Sequence, residues 1–396
     1  MLRHMLLPLL LLASWLHGQD TPPQTPPAPP PDPKVLLDAG NAAYMKADYE
    51  TAKTAYMAAW DALQQTPPET PMRYDALKRI VAVRAAVGEF KDANDYLQMA
   101  ITWREQTLGQ DDPKIADDLL QSVGLFRGMK DYGQALVILN RVLGMHVKAA
   151  TFDSVAVADD YSRMAQILLE QNKPDDAVSP LNTSLAIRTR LGGPLDPSMV
   201  FDLDRLGAVE TTLRAYDKAE SAFRHALVIR ESLFGKMNAD LIADVDGLAY
   251  ALFGEKKYDE AEAMYQRLIG LWVASVGEDH PMVAVALDKV GVFYIEQKKF
   301  DQAKEQMDHA NAIRAKFLAE GLSEQASEQF AEGNKDDTVA LYQRAVKTLD
   351  PPNPIYDKLQ KELSDMLNTI APMSPKSLTK KTAAPSTTPA TAAKKK

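Results

Sequence analysis

The sequence predicts an all-α fold, a solenoid of stacked helix pairs, and three observations carry that prediction. The first is a period. An aromatic residue followed three positions later by alanine recurs as Tyr49/Ala52, Phe90/Ala93, Tyr132/Ala135, Tyr216/Ala219, Tyr258/Ala261 and Phe300/Ala303, and Pro174/Ala177 fills the remaining place. Successive first members lie 41, 42, 42, 42, 42 and 42 residues apart, a fixed step that marks a repeat array. The second is apolar spacing of three and four residues with little β-branched alternation, the pattern of amphipathic helices. The third is turn chemistry. Gly109 precedes Asp112-Pro113, Gly193 precedes Asp196-Pro197, and Gly277 precedes His280-Pro281, with the three prolines 84 residues apart. Glycine stops one helix there and proline starts the next.

Taken in order, the first pair of helices is expected over 34–46 and 50–64, closed by Thr66-Pro67-Pro68. The next pairs are expected over 72–87 and 91–107, 114–127 and 133–147, and 154–171 and 175–190. They continue over 197–214 and 217–232, 239–255 and 259–274, and 282–297 and 301–318. Asp217, Asp259 and Asp301 follow the recurring aromatic directly, at a helix start where a carboxylate can cap free N–H groups and face the positive end of the dipole. Pro174 suits the same place, since proline is tolerated in a first turn. Asp111-Asp112 and Asp117-Asp118 flank Pro113 and read as helix-start acids.

These residues resemble tetratricopeptide repeats, and specifically the 42-residue variety of kinesin light chains and many bacterial proteins. The seventh repeat carries Leu287, Val290-Gly291, Tyr294, Ala303, Met307 and Ala310 at the family's large, Leu-Gly, aromatic, Ala, large and Ala positions. The sixth carries Val245, Leu248-Ala249, Ala261, Tyr265 and Leu268, and the fifth Leu203, Leu206-Gly207, Ala219, Phe223 and Ala226. Long second helices ending in Trp103-Arg104, Ile187-Arg188, Ile229-Arg230 and Ile313-Arg314 fit the longer variety. Departures fall at Arg84, Ser122-Val123 and Pro174. The resemblance implies a right-handed α-solenoid, with seven long repeats over 34–318. Over 319–371 the spacing shortens to 35 residues, which predicts an ordinary-length eighth repeat and then a polar-faced capping helix of the kind solenoid ends require.

Outside the repeats, residues 1–18 read as a secretory signal of bacterial type, with Arg3 and His4 ahead of a 12-residue apolar run from Met5 to Leu16. A spanning helix needs about 20 apolar residues, so cleavage after Gly18 is the first reading and an uncleaved inner-membrane anchor the alternative. The expected location is periplasmic or secreted. Residues 19–33 are proline-rich and predict an extended linker. Residues 372–396 predict a disordered Thr/Ala/Pro/Lys tail, with six lysines and no acid from Ser374 onward. A solubilising tail and a weak electrostatic tether to an anionic envelope polymer or lipid surface are both open readings of it.

The composition excludes several function classes. A formal net charge of −9 disfavours nucleic acid, which needs a basic face. The absence of cysteine removes disulfides, thiolate metal sites and cysteine nucleophiles. No phosphate-cradling glycine loop occurs, and Gly235-Lys236-Met237 lacks both that loop and the hydroxyl that would hold magnesium. The six histidines show no zinc spacing. The Asn182-Thr183-Ser184 sequon falls inside an expected helix. No catalytic residue, metal site, cofactor or small-molecule substrate is therefore expected, and the chain reads as not an enzyme.

One constellation remains. On the first helices, three residues before the Gly/Ala position, stand Asp204, Asp246 and Asp288, with Ser162 one repeat earlier. The resemblance implies that this position faces the concave groove, where kinesin-light-chain-like repeats carry Asn and hold extended peptides. Aspartates there could accept hydrogen bonds from a ligand backbone or attract Lys and Arg, or else form a solvated ladder paired with Arg205, Lys289 and their neighbours. Tyr250 and Phe253 are expected near the same groove, as anchors or as core. The family's carboxylate clamp is not expected, because Asn41 is present but Leu37 stands where Lys is wanted. The functional expectation is a non-catalytic scaffold that binds a peptide or protein segment in the groove. The alternative is a structural subunit of a cell-envelope assembly.

Overall fold

The computed structural model describes residues 31–110, 112–150, 152–349 and 354–370. The expected signal peptide, most of the linker and the tail lie outside the described residues. Among those described, every regular element is helical. The described residues fall into two compact units that divide between Met145 and His146.

The first unit contains α1 (Pro33–Tyr44), α2 (Tyr49–Leu63), α3 (Pro71–Ala86), α4 (Phe90–Leu108), α5 (Lys114–Gly128) and most of α6 (Tyr132–Ala149). Consecutive helices pack on one another through short turns, which is how an amphipathic helix buries its apolar stripe when no sheet is present. Asp32 caps α1 and Asp48 caps α2, each accepting a backbone N–H from the first turn.

The second unit contains α7 (Val155–Glu170), α8 (Pro174–Gly192), α9 (Val200–Thr212), α10 (Tyr216–Phe234), α11 (Ile242–Gly254), α12 (Tyr258–Val276), α13 (Pro281–Glu296), α14 (Phe300–Ala331), α15 (Lys335–Lys347) and α16 (Pro354–Ile370). Three-residue 3₁₀ turns at Pro197–Met199 and Ala239–Leu241 lead into α9 and α11, so these two helices begin later than the spacing predicts. Asp196 and Asn238 cap those turns instead.

The recurring motif is packing. Ala93, Ala135, Ala177, Ala219 and Ala261 are wholly buried, and Ala303 is nearly so. Tyr258 fills the corner between repeats, with its ring 6.3 Å from those of Phe253 and Phe293. The acids at Asp217, Asp259 and Asp301 lie in first turns behind Ala215, Lys257 and Lys299, and no side chain caps those three helices. Their role is therefore the helix dipole, not capping. The tight turn within each pair closes through a residue in the left-handed region: Ala47, then Gly88, Lys130, Asn172, Arg214, Lys256 and Lys298, the last six 42 apart. Most of these are not glycine, so each carries a backbone cost of roughly 1 kcal/mol that the surrounding repeat must offset.

The array changes at its end. The spacing predicts a helix stopping at 318, but α14 runs on to Ala331, 32 residues in all. Only Gly321 interrupts the sequence there, with no following proline, and a lone glycine does not stop a helix. The continuation buries Ala319, Leu322 and Ala326 against Tyr342, Ala345 and Leu359 of α15 and α16. The seventh repeat's second helix thus runs straight on to meet α15. Phe300 consequently lacks the next-repeat partner that Tyr258 has, and it is 64% exposed.

Candidate functional site

The six residues expected at the groove all fall in the second unit, on α7, α9, α11 and α13. Two concave sites lie along these first helices, and between them they take five of the six.

The larger cavity, about 640 Å³, is apolar. Phe223, Tyr265 and Phe293 form its floor, each at most 7% exposed. Tyr250 and Phe253 wall it, with Val285 and Val292. Tyr250, Val285 and Val292 stand 48%, 40% and 51% exposed, so the rim offers apolar surface to solvent. Gly247 shapes the floor. A Cβ there would lie 2.6 Å from the Phe223 ring, and one at Gly207 would lie 2.7 Å from it. The two glycines let α9 and α11 close over that ring. Asp246 and Asp288 stand at the margin with Lys289.

Neither aspartate is a free anion. Lys289 Nζ donates to Asp246 at 2.5 and 2.6 Å, and Arg314 grips Asp288. Asp204 is tied to Arg230 at 2.5 and 3.0 Å and lines neither cavity. The pairing with Lys289 was expected. Arg205 does not serve Asp204; it approaches Asp202 at 3.5 Å. The reason is geometric. The cation closing a second helix reaches back 26 residues to the first helix of its own repeat, as Arg230 does to Asp204 and Arg314 to Asp288. Trp272 stands at that place in the sixth repeat, so Asp246 turns to Lys289 on the following helix.

The smaller cavity, about 410 Å³, is polar and holds Ser162 between α7 and α9. Ser162 hydrogen-bonds Asp202, as does Ser184 at 2.7 Å. Arg188 bonds Asp159 at 2.6 Å and Ser184 at 3.2 Å. Phe201 stands 72% exposed at its edge.

The first helices also carry a recurring buried pair that the sequence reading missed. Asp118, Asp160, Asp202 and Asp244 recur at 42-residue steps and are no more than 2% exposed. Each meets a basic side chain fourteen residues earlier: Arg104 at 3.1 Å, His146 at 2.6 Å, Arg188 at 3.5 Å, and Arg230. Asp118 is therefore a core acid and not a helix-start acid, although its neighbour Asp117 does lie in the first turn of α5. The signal was present as a polar period superposed on the apolar one.

Arg230 serves two carboxylates, because Asp204 and Asp244 both bind it. Burial pushes the Asp244 carboxyl up to about 7; Arg230 opposes this and Asp204 adds to it. Its Oδ2 is buried without a partner, which further disfavours the charged form. In the unfolded chain the group titrates near 3.9. Between about pH 4 and 7 the folded chain thus holds a proton that the unfolded chain has lost. Stability from this group is present at low pH and is lost as pH rises through that window. Urea midpoints at pH 5 and pH 7.5 should fall more for the wild type than for Asp244→Asn; equal falls would show that Asp244 is ionised throughout.

Among the described residues no three His, Asp or Glu side chains cluster as a metal site, and no helix is long and apolar enough to cross a membrane.

Residues 241–316 match a family model described as a tetratricopeptide repeat, and residues 203–240 match another of the same description. No curated protein matches the chain. Among solved structures, the C-terminal part of a TPR repeat-containing protein from Cytophaga hutchinsonii is similar at 14% identity and a TM-score of 0.50, over 70% of this chain and 95% of that one. BtubC (BKLC) from P. vanneervenii is 19% identical with a TM-score of 0.47, over 58% of this chain and 92% of its own. A tetratricopeptide repeat protein from Parabacteroides merdae is 13% identical with a TM-score of 0.40, over 85% and 99%. At 14% identity the likeness to the Cytophaga protein is one of fold alone.

Proposed function

We propose that this chain, a tetratricopeptide repeat protein, is a non-catalytic interaction scaffold that holds a peptide or protein segment against the first-helix face of its second unit. One observation carries the reading: an apolar cavity of about 640 Å³ opens on that face, lined by aromatic and valine side chains and framed by carboxylates. Concave sites with an apolar body and a few polar groups at the rim are the usual form of a binding site.

The ion pairs refine what the groove takes. Asp246 and Asp288 are neutralised by Lys289 and Arg314, so the margin offers little net charge to a basic ligand. Their remaining lone pairs can accept backbone N–H groups from an extended segment. The anchor in this reading is an apolar or aromatic side chain seated over Phe223, Tyr265 and Phe293.

A photo-crosslinking residue tests the site directly. Placed at Val292 in the groove, it should label a partner polypeptide from the cells that make the protein. Placed at Val228, an equally exposed position on α10, it should not. Labelling from Val228 with none from Val292 would move binding to the second-helix face and remove the groove assignment.

A further inference from the structure

The first unit carries a cavity that the groove reading does not use. About 390 Å³ in volume, it is lined by residues of α2, α3, α4 and the turn between α2 and α3. Trp60, Trp103 and Met99 give it apolar surface, while Arg73, Gln98 and Gln106 bring N–H donors to it. Among the described residues that line it there is no carboxylate. Pro68 lines it too, and the Pro68 carbonyl accepts the Trp103 indole N–H at 2.7 Å.

This lining has the chemistry that an extended proline-rich segment needs. Such a segment is rich in carbonyl acceptors and poor in N–H donors, and its backbone makes no internal hydrogen bonds. It is held by aromatic rings that pack on the prolines and by side-chain donors that reach the carbonyls. The larger cavity of the second unit is framed by Asp246 and Asp288 instead. Carboxylates can only accept, so they have little to offer a run of prolines.

The chain itself supplies such a segment close by. Residues 21–31 contain seven prolines and no charged side chain. Helices α1 and α2 fold back on each other, with the Tyr56 hydroxyl donating to Asn41 at 2.9 Å, and that register sets Pro33, where α1 begins, alongside Gln64. Gln64 in turn accepts from Arg73 at 3.1 Å, and the Arg73 guanidinium lies 5.4 Å from the centre of the Trp60 ring. The chain therefore enters α1 next to a residue bonded to the cavity's own lining. Eleven extended residues at about 3.1 Å each reach roughly 34 Å, ample to fold back across it. We propose that residues 21–31 dock in this cavity, with prolines packed on Trp60 and Trp103 and their carbonyls facing Arg73, Gln98 and Gln106. The short tether keeps the segment at an effective concentration on the order of millimolar, so a modest intrinsic affinity fills the site without a second copy.

A benzoylphenylalanine crosslinker at Met99, which is 45% exposed, tests this in the purified full chain, with mass spectrometry to locate the link. Light should join it to residues 21–31 of the same molecule, so a mixture of isotopically heavy and light chains should give no heavy–light product. The same crosslinker at Val137, exposed on α6, should not reach the segment. Thr102→Glu/Gln106→Glu, two exposed positions on the cavity, should lower the Met99 link by about fivefold or more while the urea midpoint holds. A synthetic peptide of residues 21–33 should bind a chain whose prolines at 22–31 are serine about tenfold more tightly than the wild type, where the tethered copy competes. No link from Met99 to 21–31, an equal yield from Val137, or equal peptide affinity for the two chains would overturn the proposal. Heavy–light links would also overturn it, by giving the cavity to the segment of a second copy. The proposal does not rest on the groove reading, and none of these outcomes bears on Val292.

Discussion

Asp118→Ala should destabilise the first unit by about 3 kcal/mol, the cost of breaking a buried ion pair from one side. Asp118 is 1% exposed. It accepts hydrogen bonds from the Tyr74 hydroxyl at 2.8 Å and from Lys78 Nζ at 2.7 Å, and it lies 3.1 Å from Arg104. Arg104 in turn stacks over the Tyr74 ring at 4.2 Å. Removing the carboxylate leaves two cations converging on an empty apolar space, and burial already disfavours ionisation of the Tyr74 hydroxyl that remains. Lys78 and Arg104 keep 27% and 20% side-chain exposure, so both can partly rehydrate, and the effect belongs at the lower end of the range for such pairs. Asp118→Asn, which keeps an acceptor but no charge, should cost less. Urea titration reads both, with midpoints falling and the slope retained. A loss below about 1 kcal/mol for the alanine variant would mean that the buried pair is solvated like a surface pair.

The second large effect is on binding. Val292→Glu places a carboxylate on the rim of the apolar cavity, between the Asp288 pair and the Phe293 ring. A ligand side chain entering there would have to strip water from that charge, a penalty of several kcal/mol without a new partner. Affinity should fall by tenfold or more. Because Val292 is 51% exposed, the fold should hold and the unfolding free energy should change by less than about 0.5 kcal/mol, as it usually does for surface changes.

The architecture was legible because it is periodic in apolar residues. Buried alanines at a 42-residue step can be read without coordinates, since each must admit a neighbouring helix. The end of the array was less legible. Whether Gly321 stops a helix depends on what the continuation can bury, and only the packing of Ala319, Leu322 and Ala326 onto Tyr342 decides it. For the groove, the resemblance to tetratricopeptide repeats pointed to Asp246, Asp288, Tyr250 and Phe253, and all four border the one apolar cavity. It did not find the partners of the acids, because Arg314 approaches Asp288 from 26 residues away on another helix. The recurring buried pairs of Asp118, Asp160, Asp202 and Asp244 were missed for a related reason. An aspartate near a helix start is ordinarily a surface acid, and only the matching period of Arg104, His146, Arg188 and Arg230 marks these four as buried.

The central claim is that the apolar cavity on α9, α11 and α13 holds a segment of a partner. Its most direct measurement is a titration of the segment labelled from Val292, made as a synthetic peptide, into the wild type and Val292→Glu. Binding to the wild type that weakens at least tenfold in the variant is the predicted result. Equal affinity for both proteins would contradict it.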